Sequence, residues 1–113
     1  MSDCIFCDIA QKTARAQIVL ENDDFVAFEN ISPRAPVHIL VIPKEHLDKK
    51  DAISGKSPQF WDNMMEFVNE VIKKFELDKT GYRLVNNGAG FHAIDHEHIH
   101  VMGGQSWKPK DNL

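Results

Sequence analysis

Near the end of this 113-residue chain, His96, His98 and His100 alternate with Glu97 and Ile99. On an extended backbone, side chains alternate with period two, which sets the three imidazoles on one face with neighbours roughly 6.5–7 Å apart. A single histidine there would be explained by core packing with a satisfied hydrogen bond. Three in a row are not, because each ring is polar on two nitrogens and titrates near neutrality. A neutral imidazole whose second nitrogen is fixed by a hydrogen bond is a good nucleophile toward phosphorus, and flanking imidazoles can hold phosphoryl oxygens or protonate a leaving group. The competing chemistry is chelation of a metal by His96, His98 and His100 themselves. Glu97 points to the opposite face, where it requires solvent or a cationic partner.

A second cluster of chemically capable residues stands at the other end. Cys4-x-x-Cys7 is the spacing of a zinc knuckle, of a redox pair, or of chance. A closed tetrahedral zinc site needs two further ligands. The redox reading fits less well, since that motif normally follows a strand and opens a helix, whereas here it lies three residues from the start.

The elements that must position these groups follow from pattern. Ile18–Leu20 and Phe25–Phe28 flank Asn22-Asp23-Asp24 and form a hairpin. Val37–Ile42 is a nearly continuous apolar strand ended by Pro43, central and covered on both faces. Residues 47–56 form a surface connection. Ser57 caps a helix with Pro58 in its first turn, running to about Leu77. Phe60, Met64, Val68, Ile72 and Phe75 line one stripe; Trp61, Met65, Phe67 and Val71 widen it beyond what one sheet covers, so part of the helix faces a second subunit. Tyr82–Val85 and Ile99–Met102 supply two more strands, the latter ending in the flexible pair Gly103-Gly104. The expected fold class is α+β with a mostly antiparallel sheet, one domain over residues 1–113.

Composition narrows the partners. With 42% apolar and 27% charged residues the chain is an ordinary globular protein. Thirteen basic against seventeen acidic residues leave a net charge of −4, and no basic run exceeds two, so a nucleic acid polymer is excluded as a partner. A membrane is excluded too, for want of a long apolar run, and the absence of an export leader places the protein in the cytoplasm with reduced cysteines.

Together these residues resemble the histidine triad (HIT) family in its nucleotide-hydrolase branch. The resemblance is carried by His-x-His-x-His-x-x-Gly-Gly, by Cys-Ile-Phe-Cys, by Phe-x-Asn-Ile-Ser-Pro-x-Ala-Pro-x-His and by Ile-Pro-Lys-x-His, from Cys4 to Trp107. It implies a homodimer of protomers with a short amino-terminal helix, sharing a sheet and the long helix. It implies cleavage of purine nucleoside phosphoramidates or related nucleoside monophosphate derivatives through a nucleotidyl adduct on His98, with His100, His38 and His96 in the same site. Asn86 would contact the phosphate region. Phe6, Ile9 and Ile31 match apolar positions around the base, where core packing is an equal explanation. Cys4, Cys7, His46 and His96 would hold one structural zinc per protomer, with no organic cofactor. Trp107 would approach the partner's site, where packing on its own protomer is an equal explanation.

Four positions depart from the family pattern. Glu97 replaces an apolar residue between the histidines. His92 and Ala93 stand where many relatives carry Gln and Ser, so His92 takes a substrate-binding place and a hydroxyl donor is lost. Asn30 replaces the acidic residue that grips the ribose, keeping an acceptor without charge. A catalytically weak nucleotide-binding or regulatory dimer is therefore the alternative to an enzyme.

Overall fold

The computed structural model describes residues 3–105, and within them the polypeptide folds around one five-stranded sheet. Asn22 begins it: its side-chain oxygen accepts the backbone N–H groups of Asp24 and Phe25 at 2.8 Å each, closing the turn between β1 (Ile18–Glu21) and β2 (Phe25–Glu29). The expected hairpin is present. β3 (Val37–Pro43) pairs antiparallel with β2 and, on its other edge, with β5 (Ile99–Gly103), while β4 (Tyr82–Val85) closes the sheet against β5. The order is β1-β2-β3-β5-β4, every pair antiparallel, and β3 lies at its centre as its apolar run requires.

Both faces of β3 are covered. Ile39 and Val41 look into the larger core with Phe25, Met64, Phe67, Val68 and Val71; Leu40 and Ile42 look the other way, onto Phe6, Ile9, Val26 and Phe28. Phe6 and Ile9 of the second group come from a short helix, α1 (Ile5–Ala10), whose first turn is capped by Cys4: its sulfur accepts the Cys7 N–H at 3.4 Å. Full burial of each such aromatic or aliphatic side chain contributes roughly 1.5–3 kcal/mol.

Three sequence expectations are corrected here. Residues 47–56 are not merely a surface connection: Lys49–Gly55 form α2, because the Asp48 carboxylate caps the Asp51 N–H and Ala52 is fully buried. The long helix, α3 (Pro58–Lys74), stops short of Leu77; Glu76 adopts left-handed backbone (φ 56°), and a separate turn, α4 (Leu77–Thr80), follows. Finally, the widened apolar stripe needs no second subunit for most of its width. Phe67 and Val71 are buried in the protomer's own core and Trp61 packs against it, leaving Met65 as the exposed member at 38%.

The glycine pair at the end of β5 is likewise tight rather than flexible. A Cβ on Gly103 would stand 2.6 Å from the Gly81 carbonyl oxygen, and one on Gly104, at φ +129°, would stand 2.7 Å from Pro36. Only glycine permits this approach, which holds the end of β5 against its neighbours. Trp107 lies outside the described residues.

Candidate functional site

β5 and the segment leading into it bring two sites together. Regular strand begins at Ile99, so His96 and His98 precede it and the three histidines do not form one straight row. His96 parts from the other two. Its Nδ1 lies 3.3 Å from Cys4 Sγ and 3.4 Å from Cys7 Sγ, while His46 Nδ1 lies 3.2 Å from Cys7 Sγ. These four ligand atoms all fall within 4.8 Å of one another, a closed Cys2His2 set. A tetrahedral zinc with bonds of about 2.3 Å to sulfur and about 2.0 Å to nitrogen separates a sulfur from a nitrogen by roughly 3.5 Å, close to the three Cys–His distances above. Burial and the adjacent Cys4 sulfur push the Cys7 thiol up to about 11, so its thiolate requires a cation.

The tautomers follow from backbone partners. His96 Nε2 donates to the Pro43 carbonyl at 2.9 Å, which leaves Nδ1 as the lone pair facing the sulfurs. Both nitrogens of His96 are thereby engaged, so this residue, expected in both the catalytic set and the metal set, stands with the cysteines. Chelation by His96, His98 and His100 together is corrected for the same reason: among the described residues, only the Cys4, Cys7, His46 and His96 group converges on one point. His98 Nδ1 donates to the His96 carbonyl at 2.7 Å, so Nε2 of His98 carries a free lone pair. Phe6 braces this ring edge to face, with centroids 5.1 Å apart.

A second chain of bonds sets His100. The Arg34 N–H donates to His38 Nδ1 at 3.0 Å, so His38 carries its proton on Nε2 and donates to His100 Nδ1 at 2.9 Å. His100 is then left with Nε2–H, a donor, beside a His98 ring whose Nε2 is an acceptor; the ring centroids are 5.2 Å apart. One nucleophilic nitrogen and one hydrogen-bond donor stand side by side. Burial lowers the pKa of His38 and His98, and lowers that of His100 to about 4, helped by repulsion from His98 and His38. All three rings are neutral at physiological pH.

The sign of the resulting pH dependence is fixed. An unfolded histidine titrates near 6.5, and the folded rings bind protons less readily, so between about pH 6.5 and 4 the unfolded chain takes up more protons and stability falls as pH falls. Thermal melts from pH 7.5 to 4.5 should show a melting temperature that declines from about pH 6.5 downward. A flat profile would contradict the neutral, buried state of these rings.

The remaining expected site residues are dispersed. Phe6 and Ile9 are core residues, although Phe6 acts on the site through His98. Ile31 is 95% exposed and free to meet a ligand. Asn30 caps its own loop, its oxygen accepting the Ser32 N–H at 2.8 Å; its Nδ2 approaches His38 Nε2 at 3.3 Å, a packing contact once that nitrogen's proton is directed at His100. His92 lies on the loop before β5, 3.9 Å from Asp95, with a buried Nδ1 that has no protein partner. Asn86 does not face the histidines. Its amide is bonded to Lys49 and Glu97, because it sits on the same side as Glu97.

Sequence reasoning missed three contributors. Val85 pairs with His100, so Val85, not Asn86, shares that histidine's face of the sheet. The signal was present in the alternation of Tyr82–Val85. The Arg34 N–H and the Pro43 carbonyl, which set two tautomers, left no trace in residue type. A cavity of about 370 Å³ lined in part by Asp23, Asp24, Lys44 and Glu45 lies elsewhere and takes in none of the histidines.

An antiparallel sheet with a Cys2His2 cluster and, beside it, His98 and His100 in edge contact defines a histidine triad protein of the zinc-containing branch. The HIT domain model matches residues 11–107, and the chain belongs to that family. Protein HitA of Neisseria gonorrhoeae is 39% identical over 104 residues, covering 91% of this chain and 97% of HitA. Among solved structures, a HIT family hydrolase from Legionella pneumophila Philadelphia 1 superposes with a TM-score of 0.83 at 34% identity, over 90% of this chain and 93% of the other. A zinc-bound histidine triad family protein from Mycobacterium smegmatis gives a TM-score of 0.78 at 26% identity, over 92% and 76% respectively.

Proposed function

We propose that this protein is a homodimeric nucleotide hydrolase or transferase that cleaves purine nucleoside phosphoramidates, or related nucleoside monophosphate derivatives, through a covalent adduct on His98. The observation that carries the reading is the bond from His98 Nδ1 to the His96 carbonyl, which commits one nitrogen and leaves Nε2 free to attack. In the first step the Nε2 lone pair forms a bond to the α-phosphorus and the phosphorus–nitrogen bond breaks. The amine departs with a proton supplied by water. The adduct's positive charge is spread over an imidazolium whose Nδ1–H still donates to the carbonyl. In the second step water attacks the phosphorus, loses a proton to solvent and releases the nucleoside monophosphate with His98 restored. His100 Nε2–H donates to a non-bridging phosphoryl oxygen, where charge grows in each transition state, and His38 holds it in that tautomer.

The zinc proposed for Cys4, Cys7, His46 and His96 supplies a cross-link and no step of the reaction. Hydrolase chemistry in the Legionella relative supports the reading, as does bound zinc in the mycobacterial one. None of the described helices is long and apolar enough to cross a membrane. A second reading, a nucleotide-binding dimer with weak turnover, draws on Ala93, which has no hydroxyl to offer, and on Asn30, whose oxygen is already engaged. Acid-free quenching of the protein mixed with an adenosine phosphoramidate, followed by intact mass spectrometry, should reveal one added nucleotidyl group mapped to the His98 peptide. Binding without any adduct or turnover favours the second reading.

A further inference from the structure

Glu97 and Lys49 are 1% and 5% exposed, yet both carry full charges in ordinary water. Lys49 opens α2, where the helix dipole opposes a cation, so something specific must hold it there. Its Nζ lies 2.7 Å from Glu97 Oε1, 2.7 Å from Asn86 Oδ1 and 3.2 Å from the carbonyl oxygen of His98. Three ammonium protons meet three acceptors. The other Glu97 oxygen accepts from Asn86 Nδ2 at 2.6 Å, which closes a ring of three side chains with every polar atom engaged. Backbone bonds flank it: Glu97 N–H to the Leu47 carbonyl at 2.6 Å and Lys49 N–H to Asp95 Oδ1 at 3.0 Å.

The ring joins the start of α2, the end of β4 and the approach to β5. Asn86 and Glu97 are the two ends of the loop that carries Asn87 and His92, and Lys49 grips the peptide carbonyl of His98 itself. An apolar trio of similar volume would serve stability as well or better, since buried ion pairs seldom repay their desolvation. What an apolar trio cannot do is direct a proton at the His98 carbonyl or hold both ends of that loop at bonding distance.

Resting on the reaction proposed for His98, we infer that Lys49 and Glu97 are positioning residues, a buried charged clasp that sets the peptide plane of the nucleophile and the base of the substrate-side loop. The clasp acts through His98 and touches no reacting atom. Its signature is loss of turnover that survives repair of stability.

The test compares Lys49→Met, Glu97→Leu and the double variant with wild type and His98→Ala, by thermal melting, backbone amide exchange and turnover of an adenosine phosphoramidate. Each single change strands a buried charge and should lower the melting temperature. The double variant should recover it, while kcat stays down about tenfold or more with KM within about twofold, because the nucleophile is misplaced rather than the substrate unbound. Amide exchange from Asn86 to Val101 should quicken about tenfold or more, with α3 unchanged. A double variant with wild-type kcat and wild-type protection overturns the inference. If His98→Ala keeps its activity, or wild type has none, the proposed reaction fails instead, and amide exchange alone then decides the clasp. Should the double variant not fold, Glu97→Gln keeps the shape and one acceptor; unchanged protection at residues 86–101 in that variant overturns the inference equally.

Discussion

Replacing His98 by alanine should lower kcat on a nucleoside phosphoramidate by roughly four orders of magnitude or more, because the replacement leaves no group to form the bond to phosphorus. No described neighbour can substitute. His96 has both nitrogens committed, to the Pro43 carbonyl and to the sulfurs, and His100 presents an N–H where a nucleophile needs a lone pair. The ring also packs against Phe6, so its removal leaves space and costs about 1–3 kcal/mol of stability. His98→Asn separates the two effects: an amide N–H can still donate to the His96 carbonyl, so stability should return toward wild type while turnover does not. Steady-state kinetics with melting curves on both variants checks this. Residual activity within about tenfold of wild type would remove His98 from the nucleophile's place.

Loss of the metal should be the largest single blow to stability. Chelation, or Cys7→Ser, should lower the melting temperature by about 15 °C, corresponding to about 4 kcal/mol for a domain of this size. The four ligands join α1, the loop after β3 and the approach to β5, segments 39 and 89 residues apart in the chain when counted from Cys7 to His46 and His96. Without a cation the cluster packs two sulfurs against two imidazole nitrogens, and the buried Cys7 stays a thiol, so it is a poor core in its own right. The change should also reach the active site, since His96 is both a ligand and the residue whose carbonyl orients His98. Metal content by mass spectrometry, with melting curves before and after chelation, tests both parts. A protein with no zinc as purified and no response to chelation would leave the cysteines without their proposed purpose.

Much of this architecture was legible from residue pattern. The hairpin announced itself by Asn22-Asp23-Asp24, β3 by its unbroken apolar run and α3 by Ser57-Pro58, because these signals depend on neighbours in the chain. The end of α3 was less legible. Its stripe continues past Lys74 through Phe75 to Leu77, and only the left-handed turn at Glu76 breaks the helix. Lys49 shows the limit most clearly: in the run Lys49-Lys50-Asp51 it reads as a surface residue, and its burial depends on Glu97, forty-eight positions later.

From the sequence alone came the residue types able to do the chemistry and the strand and helix that carry them, which rest on periodicity or on spacing within a segment; the zinc set and the catalytic set came only as what the family resemblance implies. Tertiary structure decided which nitrogen of each histidine is free, that His96 serves the cysteines, that Asn86 faces Glu97 and Lys49, and that Glu97 is buried with a cation. These are settled by backbone carbonyls and N–H groups contributed from distant segments, and a carbonyl has no letter in the sequence by which its direction can be known.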